Sequence, residues 1–173
     1  GDVIWKVTPD YFRLGYSKTQ APLIVKGMVI TGTTGEGPTL SSEEKIRLYA
    51  EVKEAIGDRG AVVAGVGNYN TAESIELAQE AGENGADALL LVVPYYNKPP
   101  QEGLYQHFRA IAEAVAIPQI LYNVPGRTAV DMHNDTTVRL AEIDNIVAIK
   151  DATNDLDRAH DLIARCPSDF AIY

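Results

Sequence analysis

Six short apolar runs recur along the chain: Met28-Val29-Ile30-Thr31, Ala61-Val62-Val63-Ala64, Ala88 to Val93, Gln119-Ile120-Leu121-Tyr122, Ile146-Val147-Ala148-Ile149 and Phe170-Ala171-Ile172-Tyr173. Successive runs begin 24 to 33 residues apart. Within each run the apolar residues are continuous rather than alternating, the pattern of a strand buried on both faces. None approaches the length needed to cross a bilayer.

Amphipathic helices are predicted between the runs. Ser41 and Glu44 make a capping-box pair, in which the hydroxyl accepts a free N–H and the carboxylate reaches back. Ile46, Tyr49, Val52 and Ile56 then share one helical face, and Gly57 is placed to end the helix. Asn70 and Glu73 repeat the entry signal ahead of Ile75, Ala78 and Ala81. Leu104, Phe108, Ile111 and Val115 form a third stripe. A short fourth helix is expected near residues 135–143, and a fifth carries Leu156, Ala159 and Ile163.

Strand and helix alternating at about 30 residues per unit predict a parallel sheet with right-handed crossovers. A doubly wound sheet and a (β/α)8 barrel both satisfy that pattern, and in both the strand C-termini carry the chemistry. The net charge is −9, from 15 Lys and Arg against 24 Asp and Glu, which argues against a phosphate-backbone partner. The single Cys166 leaves no internal disulfide and no multi-cysteine zinc site, and fits a reducing cytoplasm. Gly1 to Lys6 has neither the basic start nor the apolar stretch of an export signal.

Polar residues follow four of the six runs. Thr31-Gly32-Thr33-Thr34-Gly35-Glu36-Gly37 offers backbone N–H groups and hydroxyls for a small carboxylate, or is an ordinary strand-to-helix turn. Pro94-Tyr95-Tyr96-Asn97 sets two tyrosines in a proline-flanked loop, as proton relays, interface aromatics or packing residues. Arg127 follows Pro125-Gly126, where its planar fork suits a substrate carboxylate or simply faces solvent. Lys150 ends the run Ile146–Ile149. Desolvated there, its amine is an available nucleophile; the alternative is a lysine that extends to solvent.

Four motifs in this order resemble the dihydrodipicolinate synthase family: Gly32-Thr33-Thr34-Gly35-Glu36, Pro94-Tyr95-Tyr96-Asn97, Leu121 to Thr128, and Ile149-Lys150-Asp151-Ala152-Thr153. Gln101 to Phe108 also resembles it, and the likeness is continuous from about Met28 to Tyr173. The resemblance implies a (β/α)8 barrel enzyme that joins pyruvate to aspartate semialdehyde through a Schiff base on Lys150. It implies that Tyr122 relays protons, with Thr33 linking it to a Tyr96 supplied by a neighbouring subunit of a homo-oligomer. Thr34 with Thr33 and Gly35 would hold the pyruvate carboxylate, and Arg127 the carboxylate of the second substrate. No metal and no organic cofactor is implied. Sibling lyases of sialic acid and keto-deoxy sugar acids share the lysine and the glycine-threonine loop; Arg127 and the Tyr95-Tyr96 pair favour the synthase. An inactive barrel fragment is the non-enzymatic alternative.

Two departures stand out. Val3 to Pro9 resembles a first strand, but residues 11–26 show no helical stripe, so 1–27 is an atypical first unit. The chain also ends at Tyr173 in what would be the seventh strand, so 1–173 is expected to be a single, partial barrel domain. Glu73 and Tyr95 match the family's allosteric lysine pocket, whereas Gly37, Ser42, Lys45 and Tyr69 differ from sensitive members. Inhibition by lysine is therefore expected to be weak, since the Lys45 charge opposes a cationic effector. His107, His133 and His160 are scattered and none is assigned to catalysis.

Overall fold

The computed structural model describes residues 23–25, 28–32 and 36–173. Among the described residues seven strands follow one another in chain order across one sheet: β1 (Leu23–Val25), β2 (Met28–Thr31), β3 (Ala61–Gly65), β4 (Ala88–Val92), β5 (Gln119–Asn123), β6 (Ile146–Asp151) and β7 (Ala171–Ile172). The six predicted runs are β2 to β7, all parallel to their neighbours. β1 is an addition: it pairs antiparallel with β2, Leu23 opposite Ile30, in a stretch where only the lack of a helical stripe was evident. The expected first strand, Val3 to Pro9, lies outside the described residues.

Side-chain caps satisfy free N–H groups at the start of the first two long helices. In α1 (Ser42–Ile56), Ser41 Oγ accepts from Glu44 N at 3.2 Å and the Glu44 carboxylate accepts from Ser41 N at 2.8 Å. Gly57 stops it with φ of +52°, a conformation costly for any residue with a Cβ. At α2 (Thr71–Glu83) the Asn70 side chain accepts from Ala72 N and Glu73 N, but Glu73 bonds the Asn70 amide rather than its backbone. α3 (Gln101–Ala114) starts directly after Pro99-Pro100 and buries Leu104, Phe108 and Ile111. The single-turn α4 (Pro125–Thr128), α5 (Asn134–Leu140) and α6 (Leu156–Arg165) complete the set.

The sixth helix departs from expectation. Leu156 is 75% and Ile163 65% exposed, and Leu162 is the residue α6 buries. Arg158 and Leu162 are four residues apart and so share a face. Ion-pairing of Arg158 beneath the sheet turns that face inward, and the Leu156–Ile163 side outward.

The two faces of the sheet differ, and the difference selects the fold. One face packs Val62, Ala64, Leu89, Leu91, Leu121 and Ile149 against residues of α1, α2, α3, α5 and α6. The other gathers Val63, Leu90, Val92, Tyr122 and Val124 and, among the described residues, none from a long helix. A doubly wound sheet carries helices on both faces and reverses its strand order. Helices on one face only and an unbroken order describe the wall of a (β/α)8 barrel, the helix-free face being its interior. Each fully buried Leu, Ile or Phe in the outer layer stabilises the fold by about 1.5–3 kcal/mol.

Candidate active site

β5 and β6 are registered so that Tyr122 lies directly opposite Lys150, at the C-terminal end of both strands. Alternation sends both side chains to the barrel interior, and Lys150 Nζ lies 4.4 Å from the centre of the Tyr122 ring. Tyr122 is only 4% exposed, walled by Val63, Leu90, Val92 and Val124. Lys150 is half-buried beside it, and that burial lowers its pKa from the usual 10.5. The site therefore holds an amine with a raised neutral fraction next to a phenol, the pair required for nucleophilic addition and proton transfer.

Arg127 stands at the same rim. Val124 leads β5 into α4, which has Pro125 at its start and ends at Ala129, held at φ of +54°. Thr128 Oγ1 braces the turn by donating within 3.1 Å of the Val124 and Val130 carbonyls. Arg127 is exposed and forms no ion pair among the described residues, so its guanidinium is available to an anion.

The tyrosine pair divides its tasks. Tyr95 stands edge-on to Tyr69, with ring centres 5.2 Å apart. Burial, then the nearby Tyr69 and Glu73, raise its phenol above the usual 10.0. Glu73 and Tyr95, expected to share a pocket, are thus electrostatic neighbours. Lys45, expected beside them, has its pKa lowered by burial. Tyr96 has a φ of +68° and is bridged by a 2.8 Å bond from Asn97 N to Tyr95 O, a strained three-residue turn. It is 88% exposed, so it joins neither Tyr122 nor Lys150 within this chain. Thr33, Thr34 and Gly35 lie outside the described residues.

The histidines are elsewhere. His107 is buried between α2 and α3, its Nδ1 2.8 Å from Thr71 Oγ1. His133 and His160 are exposed. Among the described residues no group of His, Cys, Asp and Glu could hold a metal ion, and no helix is long and apolar enough to cross a membrane. One feature escaped sequence reasoning: behind the Tyr122–Lys150 pair, Asn123, Asp131, Asp151 and Arg158 form a connected polar network. Its only signal was that Asn123 and Asp151 each directly follow a site residue on a strand.

The model of the dihydrodipicolinate synthetase family matches residues 19–173. The chain belongs to this family. Among its members, 4-hydroxy-tetrahydrodipicolinate synthase from Moorella thermoacetica is 59% identical over 147 residues, 85% of this chain and 50% of the relative. That from Aromatoleum aromaticum is 61% identical over 147 residues, with the same coverage. The dihydrodipicolinate synthase structure from Bacillus anthracis superposes with a TM-score of 0.84 at 53% identity, over 85% of this chain and 51% of that one. The chloride-inhibited enzyme from Acinetobacter baumannii, complexed with pyruvate, gives 0.83 at 55% identity over the same shares. The chain spans about half the length of the curated relatives it matches. Its fold is that of a dihydrodipicolinate synthase (β/α)8 barrel, represented in part.

Proposed function

We propose that the protein condenses pyruvate with L-aspartate 4-semialdehyde through a Schiff base on Lys150, forming 4-hydroxy-tetrahydrodipicolinate for lysine and diaminopimelate biosynthesis. The observation that carries this reading is the half-buried Lys150 amine, of lowered pKa, 4.4 Å from the Tyr122 ring in the barrel interior. Family membership and the likeness to 4-hydroxy-tetrahydrodipicolinate synthases support the same chemistry.

In this mechanism the neutral amine adds to the pyruvate ketone and water departs, leaving an imine. The imine nitrogen is an electron sink, so a methyl proton is lost and an enamine forms. The enamine carbon then attacks the semialdehyde carbonyl, and the amino group of the former aldehyde displaces Lys150 from the imine carbon, closing the ring and freeing the lysine. Tyr122 passes protons to and from the nitrogen and the departing oxygen, with Thr33 as its link to Tyr96. The exposure and strained turn of Tyr96 suit a side chain that completes the site of a neighbouring subunit in a homo-oligomer. Thr33, Thr34 and Gly35 hold the pyruvate carboxylate, and Arg127 the carboxylate of the aldehyde. The electron sink is the imine itself, so the steps call for no metal and no organic cofactor. The protein acts in the cytoplasm, and lysine inhibits it weakly, since Lys45 presents a like charge to the effector.

The test is incubation with pyruvate and borohydride, read by intact and peptide mass spectrometry. A reduced pyruvate adduct on Lys150, absent in Lys150→Ala, is the expected result. A folded protein with no adduct refutes the reading. A panel of aldehyde acceptors with Arg127→Ala then separates the synthase from sialic acid and keto-sugar acid lyases. Loss of the semialdehyde reaction with pyruvate trapping intact is expected.

A further inference from the structure

The polar network behind the site ties together the two strand ends that carry the reacting side chains. Asn123 pairs with Asp151 in the register, one residue beyond Tyr122 and Lys150. Strand alternation turns these two to the helix-covered face while their neighbours point inward. Asn123 is wholly buried. Its Nδ2 donates to Asp151 Oδ1 at 3.1 Å and to Asp131 Oδ1 at 2.9 Å, and its Oδ1 accepts from Met132 N at 3.1 Å. Every hydrogen-bonding position of one amide side chain but a single lone pair is thereby used.

Arg158, from α6, closes the arrangement. Nη1 donates to Asp131 Oδ2 at 2.7 Å, Nη2 donates to the Met132 carbonyl at 2.7 Å, and Nε stands 3.7 Å from Asp151 Oδ2. Thr153 Oγ1 donates to the same Asp151 oxygen at 2.9 Å. Burial opposes ionisation of Asp131, yet the bonds from Asn123 and Arg158 outweigh it and hold its carboxyl below the usual range. A further main-chain bond, Ala152 N to Asn123 O at 2.8 Å, prolongs the ladder past the end of β6. β5, β6, the α4–α5 connection and α6 thus meet on two carboxylates, one amide and one guanidinium.

We propose that Asn123, Asp151 and Arg158 are positioning residues for the imine chemistry: they fix the ends of β5 and β6 so that the Lys150 amine is held against the Tyr122 phenol. The inference rests on the assignment of Lys150 and Tyr122 above. A displacement of about 1 Å between reacting groups is enough to cost on the order of 100-fold in rate. Asn123 and Asp151 face away from the barrel interior, and Arg158 approaches them from α6 on the outer side. Their loss therefore lowers the rate of the chemical step more than the affinity for pyruvate.

The test uses the whole protein and measures the rate of borohydride-trapped adduct on Lys150 as pyruvate is varied. Asp151→Ala is expected to lower the maximal trapping rate about 10- to 100-fold, with half-saturation by pyruvate moving less than about twofold. Asp151→Asn keeps the shape and an acceptor oxygen for Asn123, and is expected to restore at least about a third of the maximal rate. Arg158→Gln, at the accessible edge of the network, is expected to cost about 3- to 10-fold with the same split, and decides the matter if Asp151→Ala does not fold. Parental trapping in Asp151→Ala, or in Arg158→Gln where that variant decides, overturns the proposal. So does a loss in Asp151→Asn as deep as in Asp151→Ala, because charge rather than geometry would then be responsible. Absence of any adduct in the parent overturns the assignment of Lys150 itself, and this proposal with it.

Discussion

Gly67 lies just beyond β3, and its smallness is forced by a neighbour rather than by its own backbone angles. A Cβ built there would come within 2.5 Å of Val92 N and 2.9 Å of Leu91 Cα, against the 3.4 Å at which ordinary contact begins. The atoms in the way are main-chain atoms of β4, which cannot rotate aside. Gly67→Ala must push the two strand ends apart by roughly 1 Å, strain of the kind that costs about 1–3 kcal/mol in a packed interior. The adjoining bond from Val66 N to Leu90 O, 3.2 Å long, is the first to suffer. Gly126→Ala is the control: a Cβ there meets nothing within 4 Å, so its effect should stay within about 0.5 kcal/mol. Denaturant unfolding at matched protein concentration reads both, as a shift in midpoint multiplied by the slope. A Gly67→Ala protein within about 0.5 kcal/mol of the parent, or a Gly126→Ala protein equally destabilised, would refute the argument from close approach.

Titration supplies two more predictions. Burial lowers the Lys150 pKa from 10.5, so the pyruvate-trapping rate should rise with pH as the ammonium loses its proton, with a midpoint below 10.5; a midpoint at or above that value contradicts a desolvated nucleophile. Burial also takes His107 down from 6.5 to about 4. Between those values the unfolded chain binds the proton and the folded one does not, so stability is complete above about 6.5, falls as the pH drops towards 4 and is level below it. The loss is about 3 kcal/mol, and His107→Gln, which keeps a partner for Thr71, should remove that part of the slope in pH-dependent unfolding. Ser41→Ala should cost about 1 kcal/mol in the same unfolding assay by removing the α1 cap.

How much of this was legible beforehand follows from the range of the forces involved. The six strands, the capping box at Ser41 and Glu44 and the stop at Gly57 rest on neighbouring residues, and all appeared where the spacing put them. Lys150 and Tyr122 were recognisable as strand-end residues, and the structure sets them side by side. The failures lie where distant parts meet. The inward face of α6 was misassigned because the partners of Arg158 are Asp131 and the Met132 carbonyl, more than 20 residues earlier in the chain. Strand β1 is only three residues long, too short a run to stand out before its pairing with β2 is seen.

The same long-range pairing bears on how the site can work. Among the described residues the barrel interior offers the Lys150 amine desolvation, and the side chains that wall Tyr122, those of Val63, Leu90, Val92 and Val124, are apolar. Side chains on the inner face are therefore oriented chiefly by the backbone that carries them. That backbone is tied on the outer face, where Asn123 and Asp151 are one residue removed from Tyr122 and Lys150 respectively and bonded to each other. Period-two alternation makes this division possible: a strand end can present chemistry to one side and anchor itself on the other. It also underlies the expectation that a position on the outer face governs rate more than affinity, since moving the strand ends alters the approach of the Lys150 amine to the Tyr122 phenol.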